Sequence, residues 1–505
     1  MRKYLLAGAA MLGATVAVQG SAYAQAPAVM PPLAPPPMGT LITPNSGKSA
    51  NDNNSYQAAP LPGAVATPTP GSMVIRLNGK IWTEYGLGGG SGGSNSGAGQ
   101  IVSGAGVITH GFPNAAGKDS SNSGLGTYMR LYPGFDAQAT NGLRYGGQVE
   151  IRENFVATQS NTGATGTSGL TSGQTLYVRR DFVWMSMPTA GLVRFGQGDG
   201  ISGIFDNGVT SQQGYGQGGW NGDAPPFVAN SSAGTTYPWY SQQGAEYGSN
   251  KIVYLSPQFA GIDVGVDYAP NNGNIESGST PTTGGASLSS SALPPDGARF
   301  MNQYQIGARY QGVFGPVSLY GFADYIGSGH VSYTGTAAAA TTKEFGSAVT
   351  TPANSAYTGQ FKNLSAGFVG VELTIGGLAI GGAWQGGQYN NTMATEPQGG
   401  VGANAYTIGA LYTIGALSFG GSWYGFDSQG AIGLTGISQR HENGFGAGLN
   451  YTIAPGLNPY VEALYGTRHQ GGYDFVNGKY YTQTGYAGHN NVFSEAIIAG
   501  IQVGW

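Results

Sequence analysis

The chain has 505 residues, 91 of them glycine, no cysteine, 9% charged residues and a formal net charge of −4. A soluble domain usually carries about a quarter charged residues, so a chain this poor in charge with 40% hydrophobic content needs a surface where charge is costly. The small net charge argues against nucleic-acid binding, and the missing cysteines exclude disulfides and thiolate metal sites.

The first segment, "MRKYLLAGAAMLGATVAVQGSAYAQA", sets Arg2 and Lys3 before a short apolar stretch and an Ala-Tyr-Ala site. This is the pattern of a bacterial secretory signal over 1–24, cleaved after Ala24. Once it is removed, no apolar run approaches the roughly 18 residues a spanning helix needs. Residues 25–72 form a Pro/Ala/Asn-rich tract, read as a periplasmic arm or linker with extended backbone.

From Met73 the texture changes to period two. In "VIRLNGKIWTEYG", Val74, Arg76, Asn78, Lys80 and Glu84 share one side, while Ile75, Leu77, Ile81 and Tyr85 share the other. Such a run is a strand with two unlike faces. Further runs follow at 126–139, 143–157, 174–187, 191–198, 248–256, 260–269, 300–312, 315–326, 360–374, 377–389, 403–414, 415–427, 441–453, 457–470 and 491–505, about sixteen strands in all. The breaks alternate. Tight turns such as "TNG", "PTAG" and "GVFG" carry the Gly or Pro that reversals demand. The other breaks are long and rich in Gly, Ser, Asn and Thr: 88–125, 158–173, 199–247, 270–299, 327–359, 390–402, 428–440 and 471–490.

An even number of strands, short turns on one side and long loops on the other predict an all-β fold: a transmembrane antiparallel β-barrel over 73–505. In hydrocarbon every backbone N–H and C=O must pair inside the protein, and a closed barrel achieves this without an edge. The short turns are then periplasmic and the long loops extracellular. The final run puts Trp505, Val503 and Ile501 on the lipid parity, with Trp505 at the edge of the belt where an amphipathic aromatic is favoured.

Three stretches carry a family resemblance. "RRDFVWMSMPTAGLVRFGQGDG" resembles the fourth and fifth strands of the Gram-negative general diffusion porins. "NKIVYLSPQFAGIDVGVDYA" is similar to their next hairpin, with Asn250, Tyr254, Ser256, Pro257, Phe259 and Gly261 on the pattern. "YMRLYPGFDAQATNGLRYGGQVEIREN" resembles the second and third strands. The resemblance implies an outer-membrane homotrimer of sixteen-stranded barrels, each passing ions and small hydrophilic solutes by passive diffusion. It also implies that the third loop, about 199–247, folds into the lumen as a constriction. The terminal segment Ile501, Val503, Trp505 resembles the signal read by the barrel-assembly machinery, and outer-membrane lipid and lipopolysaccharide are the implied surroundings.

Residue by residue, the resemblance puts a wall arginine at Arg179, with Arg180 as the alternative, and the polar parity of the strands adds Arg76, Lys80, Arg130, Arg144, Arg152 and Arg194. A strand parity starting at Arg179 leaves Phe182 and Trp184 for lipid and turns Arg180 outward near the rim. The loop acids are Asp199, Asp206, Asp223 and Glu246. The bases outnumber these acids, which points to mild anion tolerance, offset in part by Glu150 and Asp136. Val253 stands where the family has a basic residue, which weakens the cationic side. The loop's Trp220, Trp239, Tyr240 and several glutamines also suit a sugar-selective channel, and an adhesin anchored by a barrel is a third reading.

Catalytic chemistry is not indicated. His110, His330, His441, His469 and His489 lie in or beside long loops, with no G-x-S-x-G elbow and no histidine spacing typical of a metal site. "GLGGGSGGSNSG" lacks the lysine and helix of a phosphate loop. No catalytic residue, metal or cofactor is expected.

Overall fold

The computed structural model describes residues 68–90, 100–103, 106–109, 123–153, 176–206, 249–271, 301–329, 341–344, 347–350, 362–389, 396, 400–430, 439–474, 479–481, 486 and 488–505. The signal at 1–24 and most of the arm at 25–72 lie outside the described residues.

Sixteen of the described strands close into one antiparallel barrel. They are β1 (Ser72–Gly90), β2 (Ser123–Gln138), β3 (Arg144–Glu153), β4 (Leu176–Met187), β5 (Gly191–Gln197), β6 (Asn250–Leu255), β7 (Ile262–Asn271) and β8 (Met301–Phe314), then β9 (Val317–Gly327), β10 (Ser365–Ile375), β11 (Leu378–Gln388), β12 (Ala403–Ile414), β13 (Leu417–Ser428), β14 (Arg440–Tyr451), β15 (Leu457–His469) and β16 (Asn491–Gly504). Every predicted strand has its counterpart. Three short strand pairs, 100–103 with 106–109, 341–344 with 347–350 and 473–474 with 479–480, stand outside the barrel sheet. One short helix, α1 (Ile201–Phe205), follows β5.

Each of the seven short turns contains or adjoins a glycine in the left-handed region, as at Gly315 (φ 60°) and Gly376 (φ 57°). At Gly315 a side chain would strain the backbone. The ring closes where β1 pairs with β16, Lys80 against Gly504 through Gly90 against Ser494. No open edge remains in the barrel, so each strand has a partner on both sides.

The two parities separate as a membrane demands. On β7, Ile262, Val264, Val266 and Tyr268 are exposed, while Asp263, Gly265 and Asp267 are buried. Ile497, Ile501, Val503 and Trp505 likewise face outward. Apolar side chains meet lipid, and polar ones turn to the interior.

A second pattern explains why glycine and aromatics are both abundant. Six aromatic rings lie over the glycine directly opposite on the next strand: Trp184 over Gly146, Tyr304 over Gly327, Phe322 over Gly370, Tyr406 over Gly425, Tyr424 over Gly444 and Tyr460 over Gly500. At Gly500 an added Cβ would stand 2.6 Å from the Tyr460 ring. Trp505 covers Gly79 in the same way, its ring 2.6 Å from where that Cβ would be. The missing side chain gives the ring a flat seat, and the ring restores the buried area that glycine lacks.

Candidate functional site

The interior wall of β1–β6 is cationic. Arg76, Lys80, Arg130, Arg152, Arg179, Arg180, Arg194 and Lys251 are all buried on the inner face, and half-buried Arg144 shares their parity. Strand register sets several of them side by side. Lys80 lies opposite Arg130, and Arg130 lies opposite Arg152. Like charges directly across a ladder repel, so this row needs compensation.

Glu150 supplies part of it. It is fully buried and accepts hydrogen bonds from Arg152 Nε, from Arg179 Nη1 at 3.1 Å and from Arg180 Nη1. Arg180 then extends its Nη2 to Asp199 Oδ1 at 2.8 Å. One guanidinium therefore ties the barrel wall to the first acid of the third loop. Asp136 does similar work lower on the wall, 2.5 Å from Arg76 Nε.

Two adjacent residues of a regular strand cannot both face inward. They do here because the register breaks. Glu150 pairs with Arg180, but Ile151 pairs with Val178, so Arg179 is an extra residue without a partner position on β3. Such a bulge re-aims side chains. It also reverses the parity of the rest of the strand. Val178 faces out above the bulge, and Val183 and Met185 face out below it. This corrects the sequence-based reading of β4. Arg180 points into the barrel, not toward the rim, and Phe182 and Trp184 are interior residues at 5% and 3% exposure. The period-two pattern misled because one inserted residue shifts every side chain beyond it.

Gly198 and Asp199 are gripped from both sides. Lys251 Nζ donates to the Gly198 carbonyl at 2.8 Å, opposite the Arg180 contact. Val253 is indeed apolar and interior, but Lys251, two residues earlier on the same face, supplies a cation that the sequence reading missed. From there the chain turns inward. All five residues of α1 are buried. Its first two N–H groups, orphaned in any helix, donate to Asp267 Oδ2 at 2.7 Å and Gln305 Oε1 at 2.8 Å. Ser202 Oγ reaches Asp324 Oδ1 at 2.5 Å, and the Tyr320 hydroxyl donates to the Phe205 carbonyl. The Phe205 ring packs under Arg309, which is itself held by Asp263 at 2.8 Å. Gly265 leaves the space that Ile201 fills. The third loop thus enters the lumen and docks on β7–β9.

The charges are segregated. Bases dominate the inner face of β1–β6, while Asp263, Asp267 and Asp324 line β7–β9 beside the single Arg309 among the described residues there. Burial pushes the Asp199 carboxyl up, but Arg180, Arg179 and Arg194 overcome this and hold it below the usual aspartate range. Asp206 is buried at the far end of α1. Asp223, Glu246 and the loop's Trp220, Trp239 and Tyr240 lie outside the described residues. A second charged group sits on the interior of β14 and β15, where Arg468 Nε meets Glu442 Oε1 at 3.0 Å. Arg440 there holds Gln470 at 2.7 Å and covers Tyr473. Sequence reasoning passed over Arg309, Arg440 and Arg468, although each lies on the polar parity of its strand.

A closed sixteen-stranded barrel, oily outside and charged within, with one loop turned into its lumen, defines an outer-membrane channel. The chain belongs to the Gram-negative porin family, whose model matches residues 89–471. It is an outer-membrane porin, a channel for passive diffusion. No curated protein sequence matches. Among solved structures, in-vitro folded OmpT, an outer membrane protein of Vibrio cholerae, aligns at TM-score 0.47 and 12% identity, over 87% of this chain and all of that one. An anion-selective porin from Comamonas acidovorans aligns at 0.45 and 16% identity, over 86% of this chain and all of that one. A mutant of Rh. blastica porin aligns at 0.41 and 13%, again over 86% of this chain and all of that one.

Proposed function

We propose that this porin prefers anions, and that the preference is set where Lys80, Arg130 and Arg152 form a cross-strand row beside Arg179 and Arg180. The carrying observation is the segregation of charge. The inner face of β1–β6 holds nine bases against Glu84, Asp136 and Glu150, whereas β7–β9 hold mainly acids. Asp199, anchored by Arg180, fixes the start of the third loop against the basic side. A transverse field of this kind orients dipolar solutes and selects among ions. On this reading the chain is a conduit and performs no catalytic step. It is exported by the signal at 1–24, inserted by the barrel-assembly machinery through Ile501, Val503 and Trp505, and set among lipid and lipopolysaccharide.

A homotrimer belongs to the same proposal. Exposed outer aromatics crowd β6–β16, while among the described residues the exposed outer face of β1–β5 is largely aliphatic, with Ile75, Leu77, Ile81, Val178 and Val183 beside Tyr145 and Phe195. Aromatics are favoured where a wall meets the lipid interface, so a wall poor in them suits a second copy. The deciding experiment is single-channel recording of the refolded full chain across a salt gradient. The reading expects steady open current with a reversal potential on the anion side. A cation-side potential, or the absence of a steady current, would overturn it.

A further inference from the structure

The outer wall carries a feature that the channel does not use. At the extracellular ends of β13–β16, four outward-facing residues fall on one register row. Asp427 pairs with His441, His441 with His469, and His469 with Asn491. Side chains directly opposite on antiparallel strands have Cβ atoms about 4.5–5.5 Å apart, so two imidazoles in this arrangement can share one ion at the usual nitrogen–metal distance of about 2.0–2.1 Å.

The flanking carboxylate strengthens the case. Asp427 Oδ1 lies 2.5 Å from His441 Nδ1. An ionised carboxylate only accepts, so Nδ1 carries the hydrogen and the Nε2 lone pair is left for a ligand. A carboxylate that fixes the tautomer of a ligating histidine is the recurrent outer layer of protein metal sites. His441 is well exposed, its side chain at 54%, and His469 is exposed beside it.

We infer that His441 and His469 form a two-histidine site for a divalent first-row transition ion, zinc or copper, with Asp427 as the positioning residue. Imidazole suits these ions, whereas calcium and magnesium prefer all-oxygen cages. Among the described residues no group of three or more His, Cys, Asp or Glu side chains is arranged around one ion. The site therefore has two protein ligands, and its remaining positions face solvent. The groups around it are Asp427 on β13, Asn443 on β14, Thr467 on β15 and Asn491 on β16, while Arg468 and Glu442 belong to the inner face. Four residues below Asp427 runs an aromatic row, Trp423 opposite Phe445 and Phe445 opposite Tyr465. At about 3.4 Å per residue the histidines stand roughly 14 Å along the strand beyond it, toward the long-loop rim of the barrel. In sequence the two histidines look unrelated; only the register brings them together.

The test uses the full chain folded in detergent micelles and titrated calorimetrically with zinc, then with copper, at neutral pH. Saturable uptake of one ion per barrel is expected, with a rise in the melting temperature as β14 and β15 are cross-bridged. His441→Ala and His469→Ala should each abolish the uptake. Asp427→Asn should weaken it about 10–100-fold, and His489→Ala should leave it unchanged. Single-channel conductance of all four variants should match the parent, since the site lies on the outer wall. Absence of saturable uptake, or uptake that persists when both His441 and His469 are replaced, would overturn the assignment.

Discussion

The hydroxyl of Tyr460 on β15 donates to the carboxylate of Glu84 on β1, although β16 lies between them. It can do so because the intervening position is Gly500, which is paired with both residues. The contact spans the seam where the first and last strands close the ring, and both side chains are buried on the inner face.

Tyr460→Phe should therefore loosen the seam without emptying space. Leaving a buried carboxylate short of a donor costs about 1–3 kcal/mol. Gly500→Val should cost more, because it displaces the ring as well. Urea unfolding of the folded barrel measures both. If Tyr460→Phe unfolds at the parent's midpoint, the bond contributes nothing to closure.

Selectivity should follow the sign of the charge removed. Arg130→Gln should move the reversal potential toward cations, and Glu150→Gln should move it further toward anions. The second variant also strips the carboxylate from three arginines, so a loss of about 3–5 kcal/mol in stability is expected alongside. Bilayer recordings under a salt gradient give the first result, and denaturation gives the second.

The bulge makes a prediction about deletions. With Arg179 removed, Arg180 stays inward and Val178 stays outward, since the extra residue is gone and the ladder becomes regular. That variant should fold and lose only one interior cation. Deleting Val183 instead should turn part of β4 inside out and block assembly. Heat-modifiable migration on gels separates the two outcomes.

Asp199 gives the third loop an acid limit. Its folded carboxyl titrates below the ordinary value of about 3.9. A depressed folded value means that its contribution to docking is complete above the unfolded value and is lost as pH falls through the folded one. The loop root should thus resist proteolysis at pH 5 and loosen only in stronger acid. In Asp199→Asn this transition should be absent, with cleavage near 199–206 already raised at neutral pH.

Much of the wall was legible beforehand because a strand in a membrane has few options. Alternation on β7 separated Asp263 and Asp267 from Val264 and Val266 without any structure. Glycine marked the turns because left-handed backbone requires it. What escaped was whatever depends on register. The reversal at Arg179 is one residue long and leaves no compositional trace. The partnership of Glu150 with Asp199 through Arg180 joins residues on a strand and a loop whose contact no local pattern encodes. Arg309 shares its strand with no other base, and its neighbour in space, Phe205, lies on a distant loop, so no local pattern marks it.

The seating of rings on glycines has a consequence for how this wall can vary. A bulkier residue at Gly444 is blocked while Tyr424 remains, and a smaller one at Tyr424 uncovers Gly444. Neither half can drift alone, but an exchange of both, large for small and small for large, keeps the surface filled. Among relatives of this chain, substitutions at these positions should come in couples that trade places across the ladder.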